Sequence, residues 1–463
     1  MSQDDGYERL RGRHISQMWA ESREHIARTR WPAERIRAER DNGLRGILRA
    51  AIDGSQWFRN RFSGISPENF RFGDLSSLPV MTKTDLIENF DDIVTDHRVT
   101  TDVVDRHLAK LDHDDAYLFD AYHATVSGGT SGVRAPFVFD WDSWKTYHLA
   151  AFRYIYRLRQ EATGSYTRPA LTVTLTTPHA AHITASLRQT FEQHDRSVGL
   201  NVHDPLAENI ARLNEIQPQA LVTYPSVLQP LAQAARAGEL RISPTAIIAV
   251  TEPLVPDLRA TVQETYPNSR LFNWYAASEG GFIAVGCGAV PGMHISEDLV
   301  IVEPVTADGA PVAPGVRSDK IYVTNLANRL MPIIRYELDD QVTLLPDTGP
   351  CPCGSYHQRV ADVDGRHRET FRYPGDIAVH QLRLYSPLIL DPAVAEFQIH
   401  QTPSGIAVKL RGRNPDLREI TRKLKAELID SGLPRPEVTV EAVERIERLA
   451  VSGKLRRFIP LPS

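Results

Sequence analysis

Between residues 170 and 265 the chain alternates short apolar runs with amphipathic stretches. The runs at 170–177, 198–202, 220–223 and 246–250 are too short and too β-branched for helices. The segments between them, 183–194, 207–215 and 255–265, space their apolar residues by helical steps. Strands alternating with helices build a mostly parallel sheet covered on its faces. This stretch predicts an α/β fold with a buried sheet at its centre.

The flanking segments read differently. Residues 16–51 are dense in Arg, Glu and Ala, with Ile26, Ile36, Leu44, Ile47 and Leu48 at helical spacing. Trp57, Phe58 and Phe62 would anchor this helical cap to the core. Thr82 or Thr84 is a fit N-cap for a helix running toward Phe90. Residues 142–159 read as an amphipathic helix, and 281–345 as strands and turns without helices. After Gly365 the pattern resets. A segment at 399–409, a helix at 415–431 and a strand at 437–443 make a small α+β module. The expected division is an N-terminal domain, 1–365, and a C-terminal domain, 366–463. Within the first lie the cap, about 1–75, and a β-rich subdomain, about 281–365.

Composition excludes several classes. A net charge of -5 gives nucleic acid or an anionic membrane no reason to bind. No run of about 18 apolar residues exists to span a bilayer. Residues 1–13 are polar and charged, unlike a signal peptide, and three cysteines in 463 residues argue against a disulfide framework. A cytoplasmic location is the expectation.

The segment 124–136, Ala-Thr-Val-Ser-Gly-Gly-Thr-Ser-Gly-Val-Arg-Ala-Pro, carries the chemistry most plainly. Ser127, Thr130 and Ser131 supply hydroxyls. Gly128, Gly129 and Gly132 let backbone N–H groups approach an anion. Polyphosphate is the obvious guest, and a plain turn between two strands is the competing reading. A Walker loop needs Lys directly after the last Gly. Val133 and Arg134 follow here.

The order of such segments resembles the phenylacetate–CoA ligase family of adenylate-forming enzymes. The resemblance runs from about Gly43 to the C-terminus. It rests on Leu78-Pro79-Val80-Met81-Thr82-Lys83-Thr84-Asp85-Leu86, the 127–132 loop, Thr251-Glu252-Pro253, Tyr275-Ala276-Ala277-Ser278-Glu279 and Gly292-Met293-His294-Ile295-Ser296-Glu297-Asp298. It continues through Pro332-Ile333-Ile334-Arg335-Tyr336, Asp340, Cys351-Pro352-Cys353-Gly354, Gly365-Arg366 and Gly453-Lys454. It implies a large adenylate-forming N-terminal domain and a small mobile C-terminal lid. It also implies activation of a carboxylic acid with Mg·ATP to an acyl-adenylate, then transfer to coenzyme A.

Site residues follow from that resemblance one at a time. The loop Ser127, Gly128, Gly129, Thr130, Ser131, Gly132 would hold the β,γ-phosphates, with Arg134 in place of the usual lysine. Glu279 would help hold Mg²⁺, which prefers hard oxygen ligands. Asp340 would bind the ribose diol with its two acceptor oxygens, Asp339 being the competing choice. Thr251, Glu252, Pro253, Trp274, Tyr275 and Ser278 would line the nucleotide, Tyr275 covering the base. Lys454 would reach carboxylate and α-phosphate in the adenylation step. Arg366 would sit at the hinge, where His367, Arg368 and Glu369 follow in place of the family's acidic doublet. Each of these would by default be an ordinary loop, core or surface residue.

Cys287, His294, Cys351 and Cys353 form a second constellation. Three thiols and an imidazole suit tetrahedral zinc, and some members of the family carry a structural zinc from these segments. Three unliganded thiols are the competing reading. Trp141, Trp144, Tyr147, His179 and His182 lie in segments near the family's acyl pocket, which makes an aromatic or arylacetic acid the first expectation. The alternatives are a stand-alone adenylating enzyme that serves an amine or an inorganic acid such as nitrite, as in a diazotase, and a non-catalytic nucleotide-binding relative. The expected partner is a small-molecule acid, and a homodimer is left open.

Overall fold

The computed structural model describes residues 3–111, 116–126, 135–166, 170–178, 183–361, 363, 370–375, 377–380, 383–384, 387–388, 391, 393–412, 414–448 and 455–461. At its centre is an eight-stranded sheet. In spatial order its parallel strands are Ser197–Asn201, Thr172–Thr176, Ala220–Thr223, Ala246–Val250 and Arg270–Ala277. Gly281–Val285, Met293–Ile295 and Arg359–Val360 extend it antiparallel. Val173, Leu175, Leu221, Ile247 and Ile248 are each at most 1% exposed, as expected for strands buried on both faces.

The strands of the 281–345 stretch divide between two sheets. Gly281–Val285 and Met293–Ile295 belong to the large one. Val300–Val305, Lys320–Asn325 and Tyr336–Leu338 make a separate three-stranded antiparallel sheet. Its last strand touches the 78–86 segment, because Met81 N–H donates to the Arg335 carbonyl and Glu337 N–H to the Met81 carbonyl.

The expected single helical run at 16–51 is two helices, Gln3–Arg28 and Ala33–Gly54. Pro32 is the reason. Its ring disfavours helical backbone at Trp31, and it sits as N-cap of the second helix. Arg28 and Arg35 cover the Trp31 ring at 5.1 and 3.9 Å. Thr82 caps Lys83–Glu88 with a reciprocal Asp85 bond. Asp140 caps the long helix Trp141–Thr163, which ends on Gly164 at φ 75°. That helix carries Arg153, fully buried, whose Nη1 donates to both oxygens of Asp298 at 3.0 and 2.9 Å. Arg28 adds a third bond at 3.3 Å, so the first helix is tied to the same carboxylate.

The C-terminal part is a four-stranded sheet, Glu437–Ala442, Gly405–Gly412, Val394–Thr402 and Phe458–Ile459, with the helix Leu417–Asp430. The expected 399–409 segment is the turn of a hairpin within it. It meets the helix Pro225–Arg236, where Gln229 and Gln233 both donate to the Val394 carbonyl, at 2.8 and 2.7 Å. Among the described residues no helix is long and apolar enough to cross a membrane.

Candidate active site

The order of the parallel strands reverses between Thr172–Thr176 and Ala220–Thr223. In open α/β sheets the crevice outside the strand C-termini at such a reversal is where ligands bind. Here Thr177 N–H donates to the Tyr224 hydroxyl at 3.2 Å, and Thr223 Oγ1 donates to the Leu175 carbonyl at 2.7 Å. The next two strands end in the segments 251–253 and 275–279.

Tyr275 leaves the sheet with its hydroxyl donating to Asp340 Oδ2 at 2.8 Å. Asp340 is buried, while Asp339 is half-buried. Trp274, one position earlier on the strand, points to the opposite face. It packs edge-on against Phe152 and Phe282 and belongs to the core. Tyr275 and Asp340 are therefore paired on one face of the strand, and Trp274 packs behind it.

Thr251 adopts φ 66°, a genuine outlier for a β-branched residue. Glu252 N–H bonds the Val250 carbonyl at 2.9 Å, so Thr251 is the centre of a strained three-residue turn. Its Oγ1 is buried and has no hydrogen-bond partner among the described residues. The Glu252 carboxylate accepts from Ser226 N–H at 2.8 Å and from the Ser226 hydroxyl at 3.0 Å. It also accepts from Leu455 N–H at 3.2 Å.

The turn after Tyr275 is pinned from below. Asn325 Nδ2 donates to the Glu279 carbonyl at 3.2 Å, and the Tyr147 hydroxyl donates to the Ser278 carbonyl at 3.3 Å. Gly281 has φ 74°, and a Cβ there would meet the Tyr147 ring at 2.8 Å. Only glycine permits that approach. Burial, with the Glu279 charge nearby, pushes the Tyr147 phenol up. Trp141 and Trp144 pack elsewhere, stacked on His14 at 4.3 Å and on His123 at 4.3 Å.

Cys287, His294, Cys351 and Cys353 come together with their ligand atoms all within 4.8 Å of one another. Cys287 Sγ lies 4.0 Å from Cys351 Sγ, and Cys353 Sγ lies 3.5 Å from His294 Nε2. A tetrahedral ion with Zn–S near 2.3 Å has ligand edges of about 3.8 Å, so the donor set suits zinc once its longer separations, up to 4.8 Å, contract. These separations are far too long for disulfides. His294 Nδ1 lies 3.2 Å from the His357 carbonyl, which accepts its proton and leaves Nε2 to face the thiols. Hydrogen bonding from Cys287, with His294 alongside, holds the Cys353 thiol below its ordinary value. Burial opposes protonation of His294, yet hydrogen bonds to Cys351 and Cys353 raise it to about 9.

Ser127 to Gly132, Arg134, Arg366 and Lys454 lie outside the described residues, as do His179 and His182. Sequence reasoning missed Asn325, Ser226, Arg448 and Arg457. Asn325 is a strand-end residue with no motif around it. The other three act only through partners far along the chain.

No protein-family model matches the chain, and none of the curated proteins does. Solved structures do. Two complexes of 2-hydroxyisobutyryl-CoA ligase in its postadenylation state, with R3-HIB-AMP and 2-HIB-AMP, each superpose with a TM-score of 0.71 at 18% identity. Each covers 94% of this chain and 91% of the other. The chain has the fold of an adenylate-forming ligase. The same ligase with 2-HIB-AMP and CoA in its thioesterification state covers the same shares at 18% identity, with a TM-score of 0.59.

Proposed function

We propose that the protein activates a carboxylic acid with Mg·ATP to an acyl-adenylate and passes it to coenzyme A, in the manner of the phenylacetate–CoA ligase family. One observation carries the reading: the Tyr275–Asp340 pair, the strained Thr251 turn and the pinned Ser278–Gly281 turn meet at one end of the parallel sheet. Such convergence at the C-terminal ends of parallel strands, beside the strand-order reversal, is what a nucleotide site requires.

In this reading Asp340 accepts from the ribose diol, and the Tyr275 hydroxyl holds its carboxylate in place. Thr251 and Pro253 line the adenine with Trp274 behind them. Glu279 and the 127–132 loop, with Arg134, face the phosphates. Bound magnesium would supply charge neutralisation between them, with Glu279 as its protein ligand. Lys454 approaches the acid carboxylate and α-phosphate as charge builds there. The better overlay on the postadenylation state supports a C-terminal domain seated as in that state of the 2-hydroxyisobutyryl-CoA ligase. Cys287, His294, Cys351 and Cys353 would hold a structural zinc that staples the strand pair Met293–Ile295 and Arg359–Val360 to the turn at 351–354.

An aromatic or arylacetic acid is the substrate class we favour, with Tyr147 as the aromatic residue beside the Ser278–Gly281 turn. Pyrophosphate release is measured with Mg·ATP across aryl, acyl and inorganic acids, then repeated with coenzyme A. Acid-dependent release with thioester formation is the expected result. Release without thioester, but with amide when an amine is added, would replace the acceptor. No release with any acid would leave a nucleotide-binding protein and end the reading.

A further inference from the structure

Glu252 belongs to the segment 251–253, which the resemblance gives to the adenine, yet its carboxylate is occupied in another way. It is 7% exposed, as is Arg457, which approaches it at 4.0 Å. Its partners come from both halves of the molecule. Ser226, at the start of the helix Pro225–Arg236, gives its N–H and hydroxyl. Leu455 gives its N–H from the C-terminal segment. A second link runs alongside, because Arg448 donates to Ser226 Oγ at 3.1 Å and pairs with Glu396. Arg411 holds the other oxygen of Glu396 at 2.8 Å.

Backbone strain aims this carboxylate. A β-branched residue at the centre of a positive-φ three-residue turn is strained and persists only where the surroundings enforce it. Thr251 is in that conformation, and the turn it makes delivers Glu252 to the domain boundary. A buried carboxylate that holds a helix N-terminus, a backbone N–H and a guanidinium is a fixed anchor. Leu455, the residue it grips, is covalently next to Lys454.

We propose that Glu252 is a positioning residue: it docks the segment Leu455–Arg457 onto the large domain and so sets the arrangement in which adenylation occurs. The inference rests on the adenylation reading above. Glu252 need touch neither acid nor phosphate. When the C-terminal domain turns away, Leu455 and Arg457 leave the carboxylate, and Ser226 keeps it satisfied.

The test uses the full chain and the variants Glu252→Gln and Arg457→Met. The first keeps the side chain's size, and the second leaves the 251–253 segment intact. Acid-dependent ATP–pyrophosphate exchange should fall roughly ten- to a hundredfold in both, the scale of a small misplacement of a reacting group. KM for ATP should stay within about twofold, and so should thioester formation from synthetic acyl-adenylate and coenzyme A. Small-angle scattering of the ligand-free variants should give a larger radius of gyration than wild type. A rise in KM for ATP with unchanged exchange rate would assign Glu252 to the adenine and overturn the proposal. So would equal loss of both half-reactions with scattering unchanged. If wild type itself shows no acid-dependent exchange, the adenylation reading fails, and the scattering comparison still decides whether Glu252 docks the domain.

Discussion

The Tyr275 hydroxyl and the Asp340 carboxylate meet at 2.8 Å although 65 positions separate them in the chain. One leaves the last parallel strand, and the other follows the three-stranded sheet. Their contact therefore joins the two sheets at the crevice. Asp340→Ala should weaken ATP binding by roughly 1.5–3 kcal/mol, the value of a hydrogen bond to a charged group. Asp339→Ala should cost far less. Tyr275→Phe should fall between them, since it frees Asp340 to reorient without removing it. Titration calorimetry with ATP reads all three. A larger loss for Asp339→Ala would move the ribose contact by one residue.

The Cys287–His294–Cys351–Cys353 set predicts a metal content. Protein purified without chelator should hold close to one zinc per chain by elemental analysis. Cys353→Ser should lower both zinc content and melting temperature, because a structural ion binds the folded state and its affinity adds to stability. Acid-dependent pyrophosphate release per folded molecule should change little. A wild type without zinc and with undiminished stability would leave three thiols and an imidazole with no metal role.

Much of the central fold could be read from the sequence because its strands obey one rule. Ala220–Thr223 and Ala246–Val250 are short, almost wholly apolar and buried nearly along their length, as strands covered on both faces are. The break at Pro32 was missed because the apolar spacing continues across it. Site contacts were legible only as residue types. Asp340, Tyr275 and Glu279 stood in segments with a familiar order, but no spacing rule could reveal that Asn325 pins the Glu279 carbonyl. Glu252 is the clearest case. Its partners Ser226 and Leu455 lie 26 and 203 positions away, and local sequence carries no trace of either contact.

Acid should destabilise the fold through its buried histidines. Burial lowers His148 to about 3, and burial with Arg28 nearby lowers His25 to about 3. An unfolded histidine takes its proton near pH 6.5. Below that value the unfolded chain binds protons that the folded chain refuses. The stabilisation from these neutral histidines is therefore complete above about pH 6.5 and is lost as pH falls toward 3, by about 1.4 kcal/mol per pH unit for each. Melting temperature should drop between pH 7 and pH 5. His148→Phe keeps the stacking on Phe152 and Phe191 and removes one titrating group. It should flatten that drop, and an unchanged slope would show that His148 does not contribute to it.

Lys454 offers the most demanding prediction, and it bears on the whole functional reading. Two anions must approach each other in adenylation, so a cation is needed where their charges merge. Leu455, the next residue, is held by Glu252, and Phe458–Ile459 pairs with the strand Val394–Thr402. The segment following the lysine is thus held at both Glu252 and the strand Val394–Thr402. Lys454→Ala should lower acyl-adenylate formation by about 10²–10³-fold, the scale for loss of one preorganised donor. ATP affinity should change little, because Asp340, Tyr275 and the other proposed nucleotide contacts lie outside the C-terminal segment. Thioester formation from synthetic adenylate should survive if that step uses a rotated C-terminal domain. Loss of both half-reactions would mean that the lysine serves throughout. Unchanged pyrophosphate release would show that Lys454 is a surface charge, and the proposed chemistry of the C-terminal segment would fall with it.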